Sequence, residues 1–208
     1  MRLAVFASGG GSNLGAILDA IDAGRLQGVV AVVVTDRGGI GALERAEARG
    51  IPTEIIAPAR LPDQGAFTTQ LLDTLARHEI HVVALAGYLK KIPAPVVQAY
   101  PNRILNIHPS LLPAFGGAGL FGERVHRAVL EYGAQFSGAT VHLVDEDFDT
   151  GPVVLQETVP VHEDDTPATL AARVLAVEHE LYPLALSLLA DGRLRLDGRL
   201  VRITTSAR

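Results

Sequence analysis

Arg2-Leu3-Ala4-Val5-Phe6-Ala7-Ser8-Gly9-Gly10-Gly11-Ser12-Asn13-Leu14 opens the chain and decides how the rest is read. An apolar run of strand length meets three glycines, after which Leu14, Ile17, Leu18 and Ile21 fall on one helical stripe. Strand, tight turn and helix make the first part of a βαβ unit. The alternation then repeats. Near-continuous apolar runs at 3–7, 29–34, 53–57, 82–86 and 104–107 predict strands covered on both faces, with helical patterns at 12–23, 41–49 and 66–78 between them. The expected core is α/β: a doubly wound, mostly parallel sheet with helices on both faces.

Beyond Pro113 the texture changes. A glycine-rich stretch at 116–119 leads into a helix near 123–131, and 138–144 and 153–159 read as strands joined by an acidic loop at 145–151. Thr166-Pro167 is a helix start, so 167–189 is expected to close back over the sheet. The segment 194–203, centred on Asp197-Gly198, reads as a hairpin, giving a C-terminal antiparallel extension. With no repeat, linker or low-complexity tract, the 208 residues are expected to form a single domain, 1–208.

Composition narrows the function classes. The chain is 48% apolar and 20% charged, as in ordinary globular enzymes, and its net charge of −5 argues against a nucleic-acid footprint, which needs a basic surface. It has no cysteine, so disulfides, thiolate metal sites and cysteine nucleophiles are excluded, and a reducing cytoplasm is the expected setting. No segment approaches the ~20 apolar residues of a membrane span. The expected partners are small molecules, with no nucleic acid and no membrane, for a monomer or homodimer. Lysine occurs only as the adjacent pair Lys90-Lys91.

Glycines at 9–11 let backbone N–H groups converge at a helix N-terminus, where an anion fits, and Ser12 or Asn13 can cap the helix. No Gly-Lys-Ser/Thr follows, so the loop is not a Walker motif. As a dinucleotide fingerprint it has Leu14 where the third glycine belongs, although Asp36 stands near the place of a ribose-binding acid, which keeps a nicotinamide-dependent oxidoreductase in view. A loop this short suits a single phosphate monoester better.

The second informative stretch is Asn106-Ile107-His108-Pro109-Ser110-Leu111-Leu112-Pro113, at the end of the strand 104–107. Asn106 and His108 leave one face of a strand, and an amide donor beside an imidazole suits acyl chemistry: the amide holds a developing oxyanion while the imidazole moves a proton. Asp149, in a loop shaped by Gly151-Pro152, is a carboxylate expected to orient His108 and raise its pKa. Asp145, Glu146 and Asp147 read as a solvated turn. His78, His81, His126 and His162 read as surface or helix-end residues. Ser110 lacks a nucleophile elbow. His108, His142 and the acidic loop show no metal-ligand spacing, so no metal is expected.

Taken in order, Ser8-Gly-Gly-Gly-Ser-Asn13, Leu85-Ala-Gly-Tyr-Leu89, Asn106-Ile-His-Pro-Ser-Leu-Leu-Pro113, Thr140-Val-His-Leu-Val144 and Asp149-Thr-Gly-Pro152 resemble the phosphoribosylglycinamide formyltransferase family. The resemblance runs from about residue 1 to 189. It implies a formyltransferase-like fold with a phosphate-binding half at about 1–100 and a folate-binding and catalytic half at about 101–208. It also implies transfer of a formyl group from the co-substrate 10-formyltetrahydrofolate to 5-phosphoribosylglycinamide in purine biosynthesis. Asn106, His108 and Asp149 match the catalytic positions. Gly11, Ser12 and Asn13 match the phosphate site, and Glu178 a ribose contact. Leu89, Lys90, Lys91, Ile92 and Val144 fall on the folate site. Lys90 stands where the family often has Arg, and Gln64 near where some relatives carry one. The rivals are a methionyl-tRNA formyltransferase, which usually carries a further domain and would need a basic surface, and a folate or nucleotide binder without catalysis.

Overall fold

The computed structural model describes residues 1–205. In chain order its elements are β1 (Arg2–Ala7), α1 (Ser12–Asp22), β2 (Val29–Thr35), α2 (Gly41–Glu47), β3 (Thr53–Ile55), α3 (Gln64–Arg77), β4 (Val82–Leu85), α4 (Ala94–Ala99) and β5 (Ile104–His108). Then follow α5 (Glu123–Tyr132), β6 (Phe136–Leu143), β7 (Val153–Pro160), α6 (Pro167–Ala190), β8 (Leu194–Asp197) and β9 (Leu200–Ile203). Seven strands form one sheet in the order β3-β2-β1-β4-β5-β6-β7, and β8-β9 form a separate antiparallel pair. The chain divides into two compact units, one ending at Leu105 and the other beginning at Asn106.

In the first unit β1 pairs in parallel with β2 and β4, and β2 with β3. β1, β2 and β4 are buried nearly throughout because helices cover both faces, whereas β3, at the sheet edge, is only partly covered. The chain winds outward from β1 to β3, then crosses back to β4 on the other side of β1. Right-handed crossovers therefore put α1 and α2 on one face and α3 on the opposite one. The packing agrees: α1 lies against α2, and α3 against α4. Leu14, Ile17 and Leu18 of α1 are buried as the stripe requires, as are Phe67, Leu71 and Leu75 of α3. The reversal beside β1 leaves the loops after β1 and β4 at the carboxyl ends of the strands, the usual ligand side of such sheets.

In the second unit β6 and β7 are antiparallel, and α6 packs on both of them and on α5. A capping box starts α6, with Thr166 and Thr169 exchanging bonds and Pro167 in the first turn. The expected hairpin forms with Asp197↔Leu200 as its last pair. Two elements escape the sequence reading. α4 is a short helix after Pro93 with a single buried residue, too little for a stripe, and a 3-10 turn at Pro58–Arg60 ends β3 before the expected residue 57. Among the described residues no helix is long and apolar enough to cross a membrane.

Candidate active site

The strand β5 carries Asn106 and His108, two positions apart and so on one face, and β6 carries Thr140 and His142 at the same spacing. The loop after β6 brings Asp149 to them, and its carboxylate is the hub of the cluster. Oδ1 accepts from the Asn106 amide at 3.3 Å and lies 3.5 Å from His142 Nε2. Oδ2 accepts from Gly117 N–H at 2.9 Å and lies 3.5 Å from His108 Nδ1.

Carbonyl partners fix the ring protons. His108 Nε2 is 2.9 Å from the Phe115 carbonyl oxygen, and a carbonyl only accepts, so the proton of neutral His108 is on Nε2 and its lone pair on Nδ1 faces Asp149. His142 Nδ1 is 2.9 Å from the Leu143 carbonyl oxygen and is the protonated nitrogen for the same reason. Its Nε2 then accepts from the Asn106 amide at 3.1 Å. An acceptor at His142 and a carboxylate at Asp149 hold the Asn106 amide nitrogen inward.

Burial pushes the Asp149 carboxyl up. The neighbouring His142 and His108 rings and the bond from the Gly117 N–H together outweigh it, and the net pKa falls below the ordinary 3.8. For His108 burial is the largest influence and drives the imidazole below its ordinary 6.5, against the pull of Asp149 and the Phe115 carbonyl. The expectation that Asp149 raises the His108 pKa is therefore corrected: the attraction exists, and desolvation exceeds it. Near neutral pH an ionised carboxylate faces a neutral imidazole.

The supports for this arrangement are local. Asp149 adopts a left-handed backbone at φ 57°. A Cβ at Gly151 would overlap the Leu143 carbonyl oxygen, so only glycine lets the loop close there. Asp145 accepts from Thr150 Oγ1 at 2.6 Å and from Asp147 N–H at 3.2 Å, so it shapes the loop and is more than the solvated charge expected of it. The segment after His108 is stapled by Thr140, whose Oγ1 donates to the Ser110 carbonyl at 2.6 Å and accepts from Leu112 N–H at 3.0 Å and Gln156 Nε2 at 2.9 Å. Ser110 Oγ is itself committed to the Ala114 carbonyl at 2.7 Å. Sequence reasoning missed His142 and Thr140 as members of the cluster. Their signal was the alternation Thr140-Val141-His142 inside a motif already singled out. His126, expected at the surface, is buried on α5 because the apolar face of that helix, with Val125 and Val129, turns inward at its position.

In the first unit the glycine loop leads into α1. Gly11 is the N-cap, in a left-handed conformation at φ 71°, and no side chain caps the helix. The expected capping by Ser12 or Asn13 is thus corrected, because the helix begins at Ser12 itself. Asn13 is buried and Ser12 half-buried. Ser8 Oγ accepts from Leu89 N–H at 3.0 Å, tying the glycine loop to the segment 89–92. Leu89 and Lys91 of that segment are exposed and Ile92 is buried. Lys90 lies 3.5 Å from the Asp36 carboxylate, which also receives the Arg37 guanidinium at 2.7 and 3.1 Å. Burial raises the Asp36 pKa, but bonds from Arg37 and Ser8 and the charges of Arg37 and Lys90 bring it below its ordinary value. With its oxygens so engaged, Asp36 is not the open ribose acceptor that a dinucleotide site needs. In the second unit Glu178 is buried on α6, and Val144 is half-buried directly after β6. The described residues contain no group of three or more His, Asp or Glu placed to hold a metal.

A glycine loop opening a doubly wound sheet, and an amide–imidazole–carboxylate cluster at a later strand end, define an acyl-transfer class of protein. The chain belongs to the formyl transferase family, whose model matches residues 1–186. It is 47% identical over 195 residues to the chloroplastic phosphoribosylglycinamide formyltransferase of Arabidopsis thaliana, covering 93% of this chain and 67% of that one. It is 38% identical over 196 residues to phosphoribosylglycinamide formyltransferase of Escherichia coli K12, covering 94% of this chain and 90% of that one. The crystal structure of glycinamide ribonucleotide transformylase 1 from Symbiobacterium toebii superposes with a TM-score of 0.92 at 47% identity, covering 98% and 93%. The chain spans 64% of the length of the Vigna unguiculata relative.

Proposed function

We propose that this chain transfers the formyl group of 10-formyltetrahydrofolate to the amine of 5-phosphoribosylglycinamide, as a cytoplasmic step of de novo purine biosynthesis. The observation that carries this reading is the convergence of the Asn106 amide and a neutral His108 on an ionised Asp149, each within 3.5 Å of its carboxylate. The family and the relatives named above support the choice of substrates.

In this reading the substrate amine attacks the formyl carbon and the carbonyl oxygen becomes an oxyanion. The Asn106 amide hydrogen that now makes the longer bond, 3.3 Å to Asp149, is the one that turns to that oxygen. His108 takes a proton from the attacking nitrogen on Nδ1 and returns it to N10 of the departing tetrahydrofolate, so the carbon–N10 bond breaks without leaving an amide anion. Asp149 stabilises the imidazolium that forms between those two transfers. Gly11, Ser12 and Asn13 hold the 5′-phosphate and Glu178 a ribose hydroxyl. Leu89, Lys90, Lys91 and Ile92 are the folate contacts of the first unit and Val144 that of the second, with Lys90 reaching the anionic glutamate tail.

The test is an assay with both substrates that follows tetrahydrofolate release, run on wild type and on His108→Ala. The reading expects turnover in the first and loss of nearly all of it in the second, with binding of the ribonucleotide kept. Formate release from the folate without any requirement for the ribonucleotide would overturn it.

A further inference from the structure

The carbonyls of the glycine loop are all engaged from behind. Ala42 N–H donates to the Gly9 carbonyl at 3.1 Å, Arg45 Nε–H to the Gly10 carbonyl at 3.0 Å, and Gly15 N–H to the Gly11 carbonyl at 2.9 Å. In a trans peptide the C=O and the following N–H point in opposite directions, so pinning these oxygens turns the N–H groups of Gly10, Gly11 and Ser12 the other way. Among the described residues those three N–H groups meet no acceptor. A row of backbone donors with its back fixed is a seat for an anion.

Among the described residues Arg45 is the one side chain that takes part in this fixing, and it comes from α2, 35 positions further along the chain. Among the described residues no carboxylate pairs with its guanidinium, which lies over Gly15, where an added Cβ would stand 3.2 Å from Nη1. Glycine is a poor helix former, and Gly15 stands inside α1. Its smoothness is what lets the guanidinium lie there. We propose that Arg45 is a positioning residue for phosphate binding: its bond to the Gly10 carbonyl locks the Gly10–Gly11 peptide with its N–H facing the phosphate, and it places an unpaired cation behind the seat. This rests on the reading of the glycine loop as the 5′-phosphate site. Arg45 itself does not touch the ligand.

The test compares steady-state kinetics of the intact enzyme on glycinamide ribonucleotide and on the corresponding ribonucleoside, which lacks the phosphate. Arg45→Ala should raise KM for the ribonucleotide roughly fivefold, the size of one solvent-reachable charge-assisted bond, while leaving kcat near wild type and KM for the ribonucleoside unchanged. Arg45→Gln, which still offers an amide donor to the same carbonyl, should recover part of the loss. Gly15→Leu displaces the guanidinium while improving the helix, so it should raise the ribonucleotide KM without lowering the thermal midpoint; damage to the fold does not give that split. An unchanged KM in Arg45→Ala, or equal losses on both substrates, overturns the role of Arg45 while the phosphate site stands. Equal wild-type KM for the two substrates, with no effect of Ser12→Ala, removes the phosphate site and the Arg45 role together.

Discussion

Replacing Asp149 by Asn separates the charge of the hub from its shape. Both carboxylate oxygens face donors, the Asn106 amide at 3.3 Å on one side and Gly117 N–H at 2.9 Å on the other. Whichever way an amide sits at 149, its NH2 meets one of those donors, so one bond is lost and one donor is left without an acceptor, at a cost of about 1 kcal/mol or more. The larger effect falls on His108. At 3.5 Å from Asp149 and an effective dielectric of ~20, an imidazolium gains about 5 kcal/mol from a full negative charge. The dipole of the new amide and local water recover about half of that, leaving a net loss of about 3 kcal/mol, or ~100-fold in rate. In the proposed mechanism His108 is neutral in the resting protein and charged only during turnover, so the loss should fall on kcat and spare KM for the ribonucleotide. Tetrahydrofolate release at saturating substrates measures the first, and calorimetric binding of the ribonucleotide checks the second. A variant that keeps its thermal midpoint and turns over within about threefold of wild type would refute the charge-pair reasoning.

Three further outcomes follow from the same geometry. His108 and His126 are both held below 6.5, chiefly by burial, so at pH values under 6.5 the unfolded chain binds more protons than the folded one. Stability should be level above pH ~6.5 and fall as the pH drops through the depressed values, and a thermal midpoint flat from pH 7.5 to 5 would contradict this. Thr140→Val keeps the shape but strips the acceptor from Leu112 N–H and Gln156 Nε2, so it should cost about 1–3 kcal/mol in denaturant unfolding; a loss below ~0.5 kcal/mol would mean the staple is replaced by water. Lys90→Ala should weaken folates with a glutamate tail more than tail-less analogues in competition assays, and equal weakening would leave Lys90 as no more than a counter-charge for Asp36.

Periodicity made the parallel core legible, because strands covered on both faces must be apolar throughout and the helices between them must carry a stripe. Leu14, Ile17 and Leu18 of α1 are buried as that pattern requires. α4 was hidden by its shortness, with Val96 alone buried. Asn106 and His108 could be read as a pair because strand geometry fixes side-chain direction at a spacing of two. Asp149 is expected beside His108 and lies 3.5 Å from it, but the share of His142 could not be read, since it depends on β6 and on a loop whose path is set by Gly151 and Asp145. The direction of the His108 pKa was misjudged for a physical reason: a neighbouring carboxylate is visible in a motif, whereas the depth of burial that outweighs it is not. His126 shows the same blindness, because on an amphipathic helix one register position separates the surface from the interior.

In the proposed mechanism the two anions of the reaction are met by different means, and the difference follows from when each charge exists. The phosphate is charged throughout, so fixed backbone donors suit it; they need no rearrangement, and the carbonyl bonds behind Gly9, Gly10 and Gly11 supply that rigidity. The oxyanion exists only briefly, and a permanent cation in its place would bind the ground state as well, lowering KM without raising kcat. A neutral His108 facing an ionised Asp149 avoids this. Burial keeps the imidazole uncharged at rest, and the carboxylate at 3.5 Å makes it able to accept a proton when the attacking nitrogen becomes acidic. Relieving the burial of His108 would raise its pKa and charge it early, so a looser pocket should weaken catalysis even with every side chain of the cluster still present.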